Sequence, residues 1–306
     1  MRLIIKVKIF FILAILLGLH ANAQSTKKLH VLMIGNSFSQ NATRFLPQMA
    51  KEADIKLVLG RAEMGGCSLQ RHWDSVVVNN LDTNRGKAYN GKSLRQLLSS
   101  QKWDIVTLQQ YSLLSGNEET YFPYAKNLYD LIKTYQPTAE IFIHQTWAYR
   151  ADAKSFGKIE GEKRAKTQAE MWQKSRSAYY KMATKLGNLR ILPSGDAFYT
   201  VATDANWTFQ KDESYDYNNP IYPALPNEKN SINVGYSWGV DKKIKFDPNH
   251  ANDAGCYLAG LIWYKMLLKQ DPLKLTFQPK TVDDNFAKFL KETAVKTVIA
   301  ASNKKK

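Results

Sequence analysis

The sequence predicts an α/β protein, a three-layer α/β/α sandwich around a parallel, flavodoxin-like sheet of five strands. Short apolar runs alternate five times with longer amphipathic segments between residues 29 and 192. The runs are apolar at successive positions, as expected of strands that helices cover on both faces. Because helical segments separate the runs, the strands are expected to lie parallel and to be joined by crossovers.

Each predicted element has its own signal. The strands are the apolar runs at residues 29–34, 56–61, 103–109, 140–145 and 189–192. Helices are predicted where apolar side chains recur three and four positions apart, at residues 42–53, 94–100, 121–135, 163–186, 251–268 and 292–301. Pro137 ends the third helix and Pro193 closes the fifth strand. Residues 74–90 are polar, and we expect them to form an irregular surface segment.

The first 23 residues have the organisation of a secretory signal peptide. A basic start precedes an apolar run at residues 9–19, and Ala21-Asn22-Ala23 offers a cleavage site between small residues. An uncleaved membrane anchor is the alternative, but the run is shorter than the roughly 20 residues that cross a bilayer. We therefore predict a cleaved signal and a bacterial protein that is periplasmic or secreted, without stable membrane insertion.

Residues 24–306 are predicted to form a single domain. An aromatic-rich insertion at about residues 202–245 interrupts the alternation and shows neither a helical nor a strand period. Long irregular segments are usually functional or disordered, and the aromatic content argues against disorder. A C-terminal extension follows at about residues 270–306.

The chain is basic, with 43 Lys and Arg against 27 Asp and Glu and a net charge of +16. The basic residues are scattered and form no DNA-binding motif, which argues against nucleic acid as a partner. A surface that faces anionic glycans or the cell envelope agrees better with export, and solubility alone also accounts for the charge. Nothing in the composition indicates an oligomeric state.

Two cysteines, Cys67 and Cys256, are too few for a disulfide framework. They could pair in an oxidising compartment, but two buried free thiols are the favoured alternative. The sequence contains neither a His-Glu-x-x-His nor a Cys-x-x-Cys metal motif, and it lacks the glycine-rich loops that bind nucleotides. We therefore expect no metal and no cofactor.

Ser37 follows the first predicted strand in Gly35-Asn36-Ser37 and precedes a helix. A serine on such a turn is exposed near backbone N–H groups that can stabilise an anion. The alternative is that this serine only caps the helix and has no part in catalysis.

A serine nucleophile needs a base and a group that orients the base. Asp247 and His250 form an Asp-x-x-His unit, expected at the start of a helix. The carboxylate can hold imidazole Nδ1, which leaves Nε2 for the serine. Helix capping is again the alternative for these residues.

In this order the two motifs resemble the SGNH, or GDSL-type, hydrolase superfamily, over residues 29–200 and 246–269. Gly35-Asn36-Ser37 stands where the family has Gly-Asp-Ser, and residues 247–250 match its Asp-x-x-His. The resemblance implies that Ser37 is the nucleophile, His250 the base and Asp247 its orienting acid. Asp196, which follows the fifth strand, is an alternative acid.

The same resemblance implies an oxyanion hole built from three donors. These are the backbone N–H of Ser37, the N–H of Gly66 after the second strand, and a side-chain amide after the third strand. Gly65 is the less favoured glycine. The family's Gly-x-Asn-Asp is missing after the third strand, and Gln109 and Gln110 stand there instead. Because neighbouring strand residues point to opposite sides, only one can face the site, and Gln109 is chosen.

Five residues are predicted to contact the substrate. They lie at strand ends or in the aromatic insertion: Asn36, Gln145, Trp147, Trp207 and Trp238. Aromatic faces suit the C–H faces of sugars, although they can also pin loops to the protein. The expected partner is therefore an acylated carbohydrate or a small ester.

The expected function is that of a secreted serine esterase that removes acetyl or other short acyl groups from carbohydrate. One alternative is a non-catalytic glycan-binding protein that retains the fold. The other is a lipase or thioesterase.

Overall fold

A computed structural model describes residues 27–158 and 164–303. The predicted signal peptide at residues 1–23 lies outside them. Five parallel strands form one sheet in the order β2-β1-β3-β4-β5. Their bounds are Lys27–Gly35 (β1), Ile55–Glu63 (β2), Ile105–Leu108 (β3), Glu140–His144 (β4) and Arg190–Leu192 (β5). This is the flavodoxin-like order, so the predicted fold class is confirmed.

Nine α-helices are described. Their bounds are Ser37–Thr43 (α1), Leu46–Glu52 (α2), Leu69–Leu81 (α3), Leu94–Ser99 (α4), Tyr124–Tyr135 (α5), Gln168–Lys185 (α6), Ser194–Ala202 (α7), Asp253–Leu267 (α8) and Asp284–Asn303 (α9). Short 3₁₀ turns lie at Ser112–Leu114, Glu118–Thr120 and Pro272–Lys274. Among the described residues, no helix is both long enough and apolar enough to cross a membrane.

The hydrophobic core consists of two layers, one on each face of the sheet. Along β1, Val31 and Met33 pack into one layer and Leu32 and Ile34 into the other. Helices α1, α2, α7, α8 and α9 cover the first face, and α3, α4, α5 and α6 cover the second. A strand that is buried on both faces must be apolar at every position, which is why β1 shows no alternation of apolar and polar residues.

The aromatic insertion contains a β-hairpin, so the prediction of an irregular segment at residues 202–245 is wrong in part. Asn233–Trp238 (β6) and Ile244–Ala251 (β7) pair antiparallel. The register shifts between Asn233 and Gly235, and most residues of β7 are half-buried. Such a bulge disturbs the two-residue period that would have identified the strands.

The helices differ from their prediction in three places, one of which is α7, where no helix was predicted. The segment predicted as one helix at residues 42–53 is divided into α1 and α2, with the break at Arg44 and Phe45. Helix α3 occupies residues predicted to be irregular. Two of the four residues on its buried face are polar, which hides the helical period from a pattern of apolar residues: Leu69, His72, Val76 and Asn79.

Candidate active site

Ser37 lies at the carboxyl edge of the sheet, where β1 ends. Strand β1 stops at Gly35, Asn36 caps α1, and Ser37 is the first residue of that helix. Gly35 has no room for a side chain, since a Cβ there would lie 2.9 Å from Cδ of Gln109. The side chains of Ser39 and Gln109 occupy this space, so the position requires glycine.

The structure brings His250 and Asp247 to Ser37 from the hairpin. Nε2 of His250 lies 2.8 Å from Oγ of Ser37, and its Nδ1 lies 2.7 Å from Oδ2 of Asp247. The backbone N–H of His250 also donates to Oδ1 of Asp247, at 2.9 Å. The expectation that this unit opens a helix is wrong, because it lies within β7, and Asn252 caps α8 instead.

The carboxylate of Asp247 is held in its ionised form. Burial alone would raise its pKa. Hydrogen bonds from the ring and backbone of His250 and from the backbone of Asn249 outweigh burial, and the pKa lies below its usual 3.8. An ionised Asp247 fixes the imidazole with Nδ1 protonated, so that Nε2 can accept the proton of Ser37.

Trp147 and Arg150, in the loop after β4, hold β7 in place. Nε1 of Trp147 donates to the carbonyl of Asn249 at 2.9 Å, and the backbone N–H of Arg150 donates to the carbonyl of Pro248 at 2.9 Å. The ring of Trp147 is fully buried and packs 4.4 Å from that of Phe38. Trp147 therefore supports β7 and His250 from behind, and its full burial disagrees with the prediction that it contacts substrate.

A chain of buried hydrogen bonds runs beneath Ser37. Nδ1 of His144 donates to Oε1 of Gln109 at 2.9 Å, and Nε2 of Gln109 donates to Oδ1 of Asn36 at 2.6 Å. Asn36 in turn donates from Nδ2 to the carbonyl of Cys67 at 3.0 Å. The backbone N–H of Phe38 also donates to Oδ1 of Asn36, which fixes the orientation of both amides. Sequence reasoning assigned His144 no role.

Asn36 is only 1% exposed and joins these elements, while its predicted contact with substrate stays a prediction. Its bond to Cys67 fastens the turn after β2, which contains Gly66, beside the loop that carries Ser37. Gly66 has a φ of +57°, a conformation that L side chains rarely adopt.

Gln110 points away from this chain of bonds. Its Oε1 accepts from the backbone N–H groups of Leu69 and Tyr111, and its Nε2 donates to the carbonyl of Thr120. Gln109 is therefore the glutamine that reaches the nucleophile loop. Gln110 fastens the surrounding loops.

Asp196 does not reach His250. It accepts from Gln145 at 2.8 Å and from Trp172 at 2.9 Å, and it pairs with Arg176 at 3.1 Å. Gln145 is fully buried and also accepts from the backbone N–H of Asp196. The structure therefore places both residues in the support of β4 and α7, which excludes the predicted substrate contact of Gln145.

The two tryptophans of the insertion also have packing roles. The ring of Trp207 stacks 5.1 Å from that of Phe286 on α9. Nε1 of Trp238 donates to the carbonyl of Ala224, and its ring meets the edge of Tyr222. They pin the insertion to the C-terminal helix and to itself, and since both rings are only half-buried their predicted contact with substrate stays a prediction.

Cys67 and Cys256 are both buried free thiols. Burial raises the pKa of Cys67 to about 12 and that of Cys256 to about 11, so neither is a reactive thiolate. Within residues 27–158 and 164–303, no three His, Cys, Asp or Glu side chains are grouped as metal ligands.

Known structures share this architecture. A DUF4886 family protein from Bacteroides uniformis has a TM-score of 0.67 at 23% identity, over 89% of this chain and 95% of that chain. This likeness, with the order of the sheet, confirms the predicted SGNH-like fold. Two further structures are less similar. A GDSL-like lipase from Parabacteroides merdae has a TM-score of 0.45 at 12% identity, over 78% of this chain and 95% of that chain. The acetyl xylan esterase AlAXEase has a TM-score of 0.43 at 13% identity, over 78% of this chain and 100% of that chain.

A family model described as "Domain of unknown function (DUF4886)" matches residues 30–225. The match includes Ser37 and Gln109 and ends before the hairpin that carries Asp247 and His250. No curated protein sequence matches the chain. Because the family model covers more than half of the sequence, this chain belongs to the DUF4886 family.

Proposed function

We propose that this protein is a secreted serine esterase that removes acetyl or other short acyl groups from carbohydrate. The observation that carries the proposal is the continuous hydrogen-bonded series from Ser37 through His250 to Asp247, with distances of 2.8 and 2.7 Å. A nucleophile, a base and an orienting acid in this arrangement perform acyl transfer on unrelated folds. The choice of carbohydrate rests on the export expected from the sequence.

In the proposed reaction, Oγ of Ser37 attacks the ester carbonyl carbon while Nε2 of His250 takes its proton. The carbonyl electron pair moves to oxygen and returns when the C–O bond to the alcohol breaks. His250 gives its proton to the departing alkoxide, and the acyl group remains on Ser37. Water then gives a proton to Nε2 of His250 and attacks the acyl carbonyl carbon. The C–O bond to Ser37 breaks, the carboxylic acid leaves, and His250 returns the proton to Oγ of Ser37.

The oxyanion is assigned to the N–H of Ser37, the N–H of Gly66 and the amide of Gln109. Two contacts support this assignment. Asn36 ties the turn of Gly66 to the nucleophile loop, and Gln109 donates to that same Asn36. A donor directed at the developing charge contributes roughly 3–4 kcal/mol to transition-state stabilisation.

The decisive experiment is covalent labelling by a fluorophosphonate probe together with hydrolysis of 4-nitrophenyl acetate. We expect the wild type to be labelled on Ser37, and Ser37→Ala to lose both labelling and roughly a thousandfold or more of kcat. A series of 4-nitrophenyl esters with longer acyl chains is expected to show falling kcat/KM, whereas a lipase would show rising values.

Ser194 offers a matched control because it also begins a helix after a strand. It is buried, and its hydroxyl has no hydrogen-bond partner among the described residues. Ser194→Ala should therefore keep both labelling and turnover. A wild type that is neither labelled nor active on any of these esters, yet binds glycans, would overturn the proposal in favour of a binding protein.

A further inference from the structure

A groove of about 500 Å³ opens beside the hairpin that carries His250. Its walls come from the loops after β3 and β4 and from β7. The residues that matter to its chemistry are three cations and three apolar or aromatic side chains: Lys154, Lys158, Arg164, Tyr149, Phe246 and Pro248.

The groove adjoins the candidate active site on two sides. On one side, Pro248 lies between Asp247 and His250 in the chain and forms part of the wall. Burial raises the pKa of Tyr149, another wall residue, and the charge of Asp247 adds to the rise, which places the phenol within the field of that carboxylate.

On the other side, the groove leads to the turn after β2. Nζ of Lys158 lies 5.4 Å from the ring centroid of Tyr111. The ring of Tyr111 in turn borders Gly66, where a Cβ would lie 3.5 Å from Cε2 of the tyrosine. A ligand in the groove would therefore lie next to an ester held at Ser37.

The described part of the lining contains three cations and no carboxylate. The chain between Lys158 and Arg164 lies outside the described residues and adds two glutamates and one lysine, so residues 154–164 keep a net charge of +2. All three cations are solvent-exposed, and the guanidinium of Arg164 donates to the hydroxyl of Ser155. The acidic residue Asp152 belongs to the same loop, but Arg150 engages both of its oxygens, at 2.8 and 2.9 Å. Like charges along one concave wall give a positive potential that concentrates anions.

We propose that this groove is an anion-binding subsite, and that the substrate is an acylated saccharide with a carboxylate or phosphate near the ester. The inference rests on the proposed esterase function and narrows its substrate class. Aromatic and apolar side chains on the floor would contact the sugar ring, while the cations would hold its charged group.

The test compares three acetylated methyl glycosides that differ only in the group at carbon 6 of the sugar. Glucose is neutral there, glucuronic acid carries a carboxylate, and glucose 6-phosphate carries a phosphate. We expect KM to be about tenfold lower for at least one anionic sugar than for the neutral one. The better of the two anionic sugars identifies which group the subsite takes.

The charge-reversed variant K154E/K158E should lose this preference and keep kcat/KM for 4-nitrophenyl acetate within about twofold. The matched control is K28E/K102E, which makes the same change in net charge at exposed positions on the opposite edge of the sheet, where β1 and β3 begin. It should retain the preference, because at physiological ionic strength charges act over only about 8 Å.

A binding measurement separates this proposal from the esterase proposal. Calorimetric titration of the wild type with an oligogalacturonate should show binding that K154E/K158E loses and K28E/K102E keeps, whether or not the protein is an esterase. Active protein with equal KM for the three sugars and no such binding would overturn the anionic subsite alone. Absence of ester turnover with intact binding would overturn only the esterase.

Discussion

At the scale of residues, individual hydrogen bonds fix the positions of Ser37 and His250. His250 is fixed at both ring nitrogens, by Asp247 and by Ser37, although 36% of its side chain is exposed. Beneath it, Gln109 and Asn36 are each 1% exposed and bonded on both ends of the amide. The surface groups can therefore react with solvent-borne substrate while the buried amides keep their separation fixed.

Substitution of the two adjacent glutamines should separate catalysis from stability. Gln109→Leu removes the bridge between His144 and Asn36 and the proposed oxyanion donor. We expect kcat to fall roughly 10²- to 10³-fold. Measurement of kcat and KM on 4-nitrophenyl acetate checks this, and we expect KM to change little.

Gln110→Leu is the matched neighbour. It leaves the buried N–H groups of Leu69 and Tyr111 without their acceptor, so unfolding should become easier by about 1–3 kcal/mol in urea titrations, with kcat nearly unchanged. Equal losses of kcat in both variants would show that Gln109 has no specific part in the reaction.

At the scale of elements, the β6–β7 hairpin determines where His250 lies. Arg150 is buried and joins this hairpin to the loop after β4. It pairs with Glu228 at 2.6 Å, and its guanidinium lies 4.0 Å from the ring centroid of Phe209 and 5.1 Å from that of Phe246. Sequence reasoning missed Arg150, since a single arginine after a strand carries no pattern.

Arg150→Met should destabilise the protein by about 1–3 kcal/mol, because it leaves the half-buried carboxylate of Glu228 without its cationic partner. Addition of Glu228→Gln should restore part of the loss. Urea unfolding of the single and double variants measures both effects.

The exposed pair of Lys126 and Asp130 on α5 provides the comparison. Lys126→Met should change stability by less than about 0.5 kcal/mol. A loss of similar size in both lysine and arginine variants would mean that Arg150 does not anchor the hairpin.

At the scale of the whole molecule, two fully buried histidines, His72 on α3 and His144 at the end of β4, stay neutral. Burial lowers the pKa of His72 to about 4 and that of His144 to about 3. His72 donates to the carbonyl of Gly35 and accepts from the hydroxyl of Tyr89. Nε2 of His144 is buried without a hydrogen-bond partner among the described residues, which leaves a proton there unsupported.

Stability should therefore fall as the solution becomes acidic. The unfolded chain protonates each imidazole below about pH 6.5, while the folded chain keeps both neutral until the pH nears 4 and 3. Because the unfolded state binds more protons in this window, the stabilisation is complete above pH 6.5 and is lost as pH falls. Between pH 6.5 and 5, each histidine should lower the free energy of unfolding by about 2 kcal/mol.

Urea unfolding at pH 7 and pH 5 measures this loss. His144→Gln should reduce the difference between the two pH values by about half, whatever its effect on absolute stability. An unchanged difference in that variant would mean that His144 is not the source of the pH dependence.

The sequence predicted the fold class, the strand order type and the positions of most helices, because the apolar period of a covered parallel sheet is local. It missed α3, where His72 and Asn79 occupy buried positions, and the hairpin, where a bulge breaks the alternation. It also assigned substrate contact to Gln145 and Trp147, which are fully buried and bonded within the protein. A polar residue at a strand end gives the same sequence pattern whether its side chain faces solvent or the interior.

By itself, then, the sequence determined the sheet and the positions of Ser37 and the Asp247–His250 pair along the chain. Only the tertiary structure decided that β7 brings His250 to within 2.8 Å of a serine 213 residues away, and that Gln109, which strand alternation had favoured, bonds to Asn36 beside that serine. The physical reason is the distance along the chain over which each signal extends. Periodicity records the local burial of each element, whereas these contacts depend on how separate elements pack, and buried hydrogen bonds leave no period in the sequence.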